Sequence, residues 1–429
     1  MTMRNSESSE PPGSVTAPNL LIERAEREVL RSLAAKVAEL AARPSEDEKR
    51  ELWYHHYALR PTRPLVFASP ENSWHELIPE QQLLCTNELA RAWEMRLRRE
   101  IHWGTVLRDD RVIEPFFDLK HVYSESDWGM HERRIGAGQG SAYTWDPPLK
   151  GYGDMARLRF PHISVDHEAT AQRAELAQEV FGDWLAVRVR TVWNWTWGLT
   201  WVLAKLRGLA QIMYDMVDHP NDLHRLMAFL RDGHLARLDF LEQNGLLSLN
   251  NDGSYVGSGA FGWTRELPAP GFAGKVRTCD LWGFAESQET VGISPAMFAE
   301  FVFPYQLPIL ERFGLNRYGC CEPLDRRWPI VERIPRLRVV AVSPWSDVGY
   351  MAERLGNRYV LSLHARPSDL ALPSFDEDRI RCGLREAMQV MRRHDCRVEV
   401  IMQDTHTVRN EPDRLTRWVQ IAREEAESV

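Results

Sequence analysis

Several things are missing from this sequence, and each absence narrows what it can be. No run approaches the ~18–20 consecutive apolar residues of a membrane-spanning helix. Positive charge is in deficit: 53 Lys and Arg face 61 Asp and Glu, for a net charge of −8. A nucleic-acid binder would instead carry a basic domain or stripe. Cysteine is sparse, with six in 429 residues, at positions 85, 279, 320, 321, 382 and 396. None repeats as CxxC, which disfavours a structural zinc ribbon. No GxGxxG follows an expected strand and no Walker A motif occurs, so nucleotide-binding folds lose support. Residues 1–18 are rich in Ser, Glu and Pro and lack an apolar leader core. The expectation is a cytoplasmic protein with reduced thiols, no membrane segment and no nucleic-acid partner.

What the chain does have is ordinary globular material, with 44% hydrophobic and 27% charged residues. Tryptophan is the exception at 16 copies, with Trp193, Trp195, Trp197 and Trp201 close together. Most serve packing, and some suit a wide aromatic-lined pocket. Residues 1–18 read as a disordered tail. Residues 19–60 read as an N-terminal helical extension, with a helix capped by Asn19 and a second opened by a Ser45/Glu48 capping box. This extension could serve a homodimer contact.

Residues 61–429 then alternate. Leu65–Ala68 reads as the first core strand, and residues 124–160 and 254–292 as long irregular loops. Late in the chain the alternation is regular, with strands at Arg317–Cys321, Leu337–Val342, Tyr359–Leu363 and Arg397–Met402, each followed by a helix. With the earlier units about eight β/α repeats fit, and the expected fold is an α/β (β/α)8 TIM barrel.

In such a barrel, chemistry sits at the strands' C-terminal ends. That rule selects Asn251, Asp252 and Tyr255; then Cys320, Cys321 and Glu322; then Ser343, Trp345 and Asp347; then His364 and Arg366; then Gln403, Asp404 and His406. Soft thiolates beside a carboxylate suit zinc or a nucleophile. One ligand set is Cys320, Glu322 and His406; another uses Cys321 in place of Cys320. Glu322, Asp280 and Asp252 are candidate acid–base groups. Tyr255, Trp263, Trp282, Tyr318, Trp345, His364 and Arg366 are candidate substrate contacts.

Two helical blocks carry a family resemblance. Lys205-Leu-Arg-Gly-Leu-Ala-Gln-Ile-Met-Tyr-Asp-Met-Val-Asp-His-Pro220 and Gly292-Ile-Ser-Pro-Ala-Met-Phe-Ala-Glu-Phe-Val-Phe-Pro-Tyr305 resemble the uroporphyrinogen decarboxylase superfamily. The resemblance implies a (β/α)8 barrel. The decarboxylases of that superfamily carry an Arg-rich segment near the first strand, where this chain has Ala68-Ser-Pro-Glu-Asn-Ser-Trp74. The resemblance therefore favours the corrinoid-dependent methyltransferase branch, which holds zinc through a His-x-Cys pair and a later Cys. Tyr318-Gly-Cys320 stands at the first place, so Cys320 matches and Tyr318 does not. Asp404-Thr-His406 stands at the second. The implied function is zinc-assisted methyl transfer between a small O- or N-methylated compound and a separate corrinoid (cobalamin-carrying) protein. The alternative is a metal-independent decarboxylase or lyase acting on a small acid held by Arg366, Arg317 and Arg409.

Overall fold

The structure is a computed structural model describing Leu20–Gly136 and Tyr143–Ser428. The tail expected at residues 1–18 and the Asn19 cap lie outside the described residues. The first helix, Arg24–Ala41, is closed at its start by a Glu23/Glu26 box. The second, Pro44–Tyr57, begins one residue before the expected Ser45, because proline suits a first helical position.

Among the described residues eight short strands make parallel pairings: β1 Leu65–Ala68, β2 Phe116–Leu119, β3 Ala186–Val189, β4 Trp282–Ala285, β5 Leu315–Tyr318, β6 Leu337–Val342, β7 Val360–His364 and β8 Arg397–Met402. Six form one parallel sheet in the order β1-β8-β7-β6-β5-β4, and β2 pairs with β3 separately. The four late β/α units match the expected alternation, with helices at Val348–Leu355, Glu377–Arg393 and Asp413–Glu427 packed outside. Their strands are nearly all buried, as both faces of a parallel sheet must be.

The described ladders do not close into a ring, and the edges show why. On β1, Val66 N donates to the Asp110 carboxylate at 2.7 Å and Ala68 N to Asp109 at 2.9 Å. On β4, Trp282 N donates to Asn250 Oδ1 at 2.9 Å, and Asn250 Nδ2 returns a bond to Trp282 O at 3.1 Å. Side chains thus satisfy both outer edges where a neighbouring strand's backbone would otherwise do so. The apolar run Leu246–Leu249, which suits a strand, is irregular and leads into Asn250.

Two expected loops contain structure. Residues 124–160 include a hairpin of Arg133–Gly136 with Tyr143–Asp146. Residues 254–292 include a small hairpin, Tyr255–Gly257 with Ala260–Phe261. This second hairpin enters the bowl of the sheet. Phe261 packs on Phe67 of β1 at 4.8 Å between ring centres. Gly259 (φ +75°) lies so close to Ile401 of β8 that a Cβ there would collide with it.

Candidate functional site

The site is built where β4, β5, β7 and β8 end. Strand alternation sends Tyr318 toward the helices, where its hydroxyl donates to Gln306 Oε1 at 2.8 Å. Gly319 then adopts φ +95°, a conformation that disfavours other residues. The alternation resets, and Cys320 turns inward to lie 3.7 Å from the Gln403 carboxamide at the end of β8. Cys321 Sγ is 3.5 Å from Cys320 Sγ, with Cys320 buried and Cys321 partly exposed.

Glu322 curls back under this turn. Its carboxylate accepts from Cys320 N at 3.0 Å, Ser287 N at 2.7 Å and Ser287 Oγ at 3.2 Å. Burial drives its pKa upward against those bonds and the nearby charge of Arg327. Glu286, directly after β4, is fully buried; its Oε1 is 3.3 Å from Thr196 Oγ1 and its Oε2 accepts from Gln288 N at 2.9 Å. Burial, then the neighbouring Glu289 and Glu322, lift it well above the carboxylate range. It keeps its proton at a pH where surface glutamates have lost theirs. Hydrogen bonding to Cys321, then burial, raises the Cys320 thiol, so it is not a free thiolate.

Below this rim lies a buried polar column. Gln403 is 3.0 Å from His364 Nδ1 and 3.1 Å from Ser258 Oγ of the inserted hairpin. His364 Nε2 lies 3.3 Å from Arg317 Nη2, which also donates to Ser362 Oγ and to Ser258 O, each at 2.9 Å. Burial and the Arg317 guanidinium hold His364 down at about 3, so it is a neutral imidazole. Arg317 pairs with Glu399, and Glu399 accepts from Tyr57 at 2.8 Å. The column runs from the helical extension at one end of the sheet to Cys320 at the other.

Tyr318, Cys320, Cys321, Glu322 and His364 are therefore brought together. The other expected residues are elsewhere. His406 is half-exposed, 3.2 Å from Asp404 and 3.2 Å from Asn72, and the Asp404 carboxylate raises its pKa. Asp252 is held by Arg190 at 2.8 Å and Arg188 at 3.3 Å. Burial opposes its ionisation, but bonds and charge from Arg190, Ser254 and Arg188 prevail and lower its pKa. Asp280 precedes β4, at the opposite end of the sheet, and is locked to Arg277 at 2.8 Å, which lowers its pKa. Neither aspartate is free to move a proton. Trp282 opens β4 at that same far end and donates to Gly262 O at 2.9 Å. Trp263 is buried against Tyr54 of the helical extension, with ring centres 5.2 Å apart. Both are packing residues, not rim contacts. Tyr255 lies on the inserted hairpin. Trp345 and Arg366 are on the rim after β6 and β7 but face solvent. The far end also holds a cleft of about 530 Å³, lined by Cys279, Phe313, Leu315 and Arg336 among others.

The zinc sets expected from sequence are not assembled. Glu322 is spent on amide donors, His406 is turned to Asp404, and His364 offers Nε2 to a guanidinium. Among the described residues no group of three or more His, Cys, Asp or Glu is arranged to hold a metal ion. The residues present do not fit zinc in this arrangement. Arg317, expected to anchor a substrate carboxylate in the lyase reading, is committed to Glu399 inside the sheet.

Glu286 was missing from the expected site because the strand before it, Trp282-Gly-Phe-Ala285, is short and carries a glycine. Once that strand is seen, Glu286 is the first residue beyond its end. No family profile and no curated protein sequence matches the chain. Among solved structures, a methyltransferase from Methanosarcina mazei is similar, at 10% identity and a TM-score of 0.48, covering 88% of this chain and 98% of that one. No helix among the described residues is long and apolar enough to cross a membrane.

Proposed function

We propose that the protein transfers a methyl group from a small O- or N-methylated compound to the corrinoid of a separate protein, in the cytoplasm. The observation that carries this reading is Glu286, a fully buried carboxyl that retains its proton beside Cys320 and Glu322. When a methyl group leaves an ether oxygen or an amine, the departing heteroatom gains electron density and needs a proton. A carboxylic acid held protonated by burial supplies one as general acid. The helical blocks 205–220 and 292–305, similar to the uroporphyrinogen decarboxylase superfamily, support the same reading.

In this proposal the eight strands belong to the (β/α)8 arrangement, with its two seams bridged by Asp109, Asp110 and Asn250. The corrinoid on the partner accepts the methyl group. Glu286 protonates the leaving atom, Glu322 fixes the Cys320 turn, and neutral His364 and Gln403 line the floor as hydrogen-bonding groups. Trp345, 74% exposed, and Arg366 stand on the rim where a partner would dock. No step requires zinc.

The test is spectroscopic. Purified protein is mixed with reduced corrinoid protein and a panel of methoxy- and methylamine-type compounds. Conversion of cobalt to its methylated state is expected with at least one. Failure across the panel in both directions of transfer overturns the reading.

A further inference from the structure

We propose that Cys320 and Cys321 form a thiol-oxidation site that reacts with a low-molecular-weight disulfide and closes to a vicinal Cys320–Cys321 disulfide. The proposal goes beyond methyl transfer and stands whether or not that is the activity.

Three observations carry it. The two sulfurs are already in contact at 3.5 Å. They differ in access, with Cys321 partly exposed and Cys320 fully buried beneath it. The other four cysteines sit on separate elements: Cys85 ahead of helix Glu88–His102, Cys279 ahead of β4, Cys382 within helix Glu377–Arg393 and Cys396 ahead of β8. A partly exposed thiol over a buried one, with no third cysteine on the same turn, is the arrangement of an attacking and a resolving pair.

The chemistry balances with one disulfide molecule, R–S–S–R. Cys321 loses its proton and attacks one sulfur; the S–S bond breaks and the first RS⁻ leaves, taking up a proton as RSH. Cys320 then loses its proton and attacks Cys321 Sγ in the mixed disulfide, expelling the second RS⁻, which leaves as RSH. Two cysteine thiols are oxidised and one disulfide is reduced to two thiols. Adjacent Cα atoms lie about 3.8 Å apart across a trans peptide. Unstrained disulfides span about 4.4–6.8 Å. The product is therefore strained and readily reduced, which makes the site reversible. Closure also alters the turn whose amide at Cys320 donates to Glu322 at 3.0 Å, linking oxidation to the rim carboxylates.

Trypsin cuts after Arg317 and Arg326 and so places both cysteines on one peptide. The intact protein is incubated with oxidised glutathione, quenched with an alkylating agent, digested and weighed. The expected peptide is two hydrogens lighter than the dithiol, unalkylated and restored by dithiothreitol. Cys320→Ser is expected to stop at a stable glutathione adduct on Cys321. Cys321→Ser is expected to stay unmodified over the time in which the wild type oxidises fully. A wild-type peptide that stays alkylatable, or that stops at the mixed disulfide, overturns the proposal. So does a Cys321→Ser variant that reacts as fast as the wild type. The wild-type measurement needs no variant to fold and no enzymatic activity.

Discussion

Arg317 Nη1 donates to Glu399 Oε1 across 2.8 Å, and both side chains are fully buried. Glu399 also accepts from Tyr57, so strand β5, strand β8 and the helical extension meet at one ion pair. Removing one partner leaves an uncompensated buried charge, at a cost of about 3–5 kcal/mol. Arg317→Met is expected to lower the urea midpoint accordingly. Replacing both, as Arg317→Met with Glu399→Leu, is expected to recover much of the loss, because no charge is then stranded. A double variant no more stable than Arg317→Met alone would show that the pair does not act as a unit.

Acid stability follows from buried imidazoles. Burial lowers His56 and His102 to about 4, and His234 and His364 to about 3. These folded values lie below the ordinary 6.5. Their contribution to stability is therefore present above about 6.5 and is lost as pH falls toward the folded values, by up to about 1.4 kcal/mol per pH unit for each group. Asp109 runs the other way. Burial raises it to about 6, so its contribution is full at low pH and lost as pH rises through 6. Glu286 and Glu322, also raised by burial, run the same way as Asp109 and offset part of the histidine loss, so the imidazole contribution is read from how a single histidine variant changes the acid slope. His234 is the clean test: neither ring nitrogen has a hydrogen-bond partner among the described residues, and the ring lies between Trp128 and Trp197. His234→Leu is expected to hold or raise stability at pH 8 and to make the acid slope shallower. An unchanged slope would remove His234 from the account.

The legible parts of this molecule were those with a repeating local signal. Leu337–Val342 and Arg397–Met402 are uninterrupted apolar or alternating strands between helical segments, and their bounds match the structure. Cys320 and His364 were found because each directly follows, or ends, such a strand. The hidden parts depend on contacts distant in sequence. Nothing local in Asp109-Asp110 or Asn250 announces that these side chains will satisfy a strand edge. The hairpin at residues 255–261 looks like loop because its pairing is two residues long and its partners, Phe67, Arg317 and Ile401, are far along the chain. His406 was found after β8 by the same rule, but its pairing with Asp404 and Asn72 depends on a turn after β8, where Asp404 adopts φ +60°.

The edge of β1 offers a direct measurement. Asp110 accepts from Val66 N at 2.7 Å and from Arg63 Nη1 at 2.9 Å, with its own side chain almost fully buried. Hydrogen bonds to a charged group contribute about 1.5–3 kcal/mol. Asp110→Ala strands a strand amide and a guanidinium together, and a loss near the upper end of that range is expected. The Val66 amide is also expected to exchange with deuterium faster than the Val400 amide of neighbouring β8. Equal protection of Val66 in variant and wild type would mean that another group closes this edge.

The proton donor can be separated from the metal ligands expected from sequence in one comparison. Glu286→Gln keeps an acceptor oxygen for Gln288 N and places its amide N–H beside Thr196 Oγ1, which can accept it, so the fold is expected to survive. Loss of a general acid typically costs about 10²–10⁴ in rate, and that fall is expected in kcat with little change in KM. The wild-type rate requires the protonated form. It is therefore expected to decline as pH rises through the raised pKa of Glu286, and this limb is expected to vanish in Glu286→Gln. His406→Ala, by contrast, removes a half-exposed ring bound only to Asp404 and Asn72 among the contacts described. It is expected to leave kcat close to wild type. A zinc-bound His406 would give the reverse pattern, with activity and metal content falling together in His406→Ala while Glu286→Gln kept its rate.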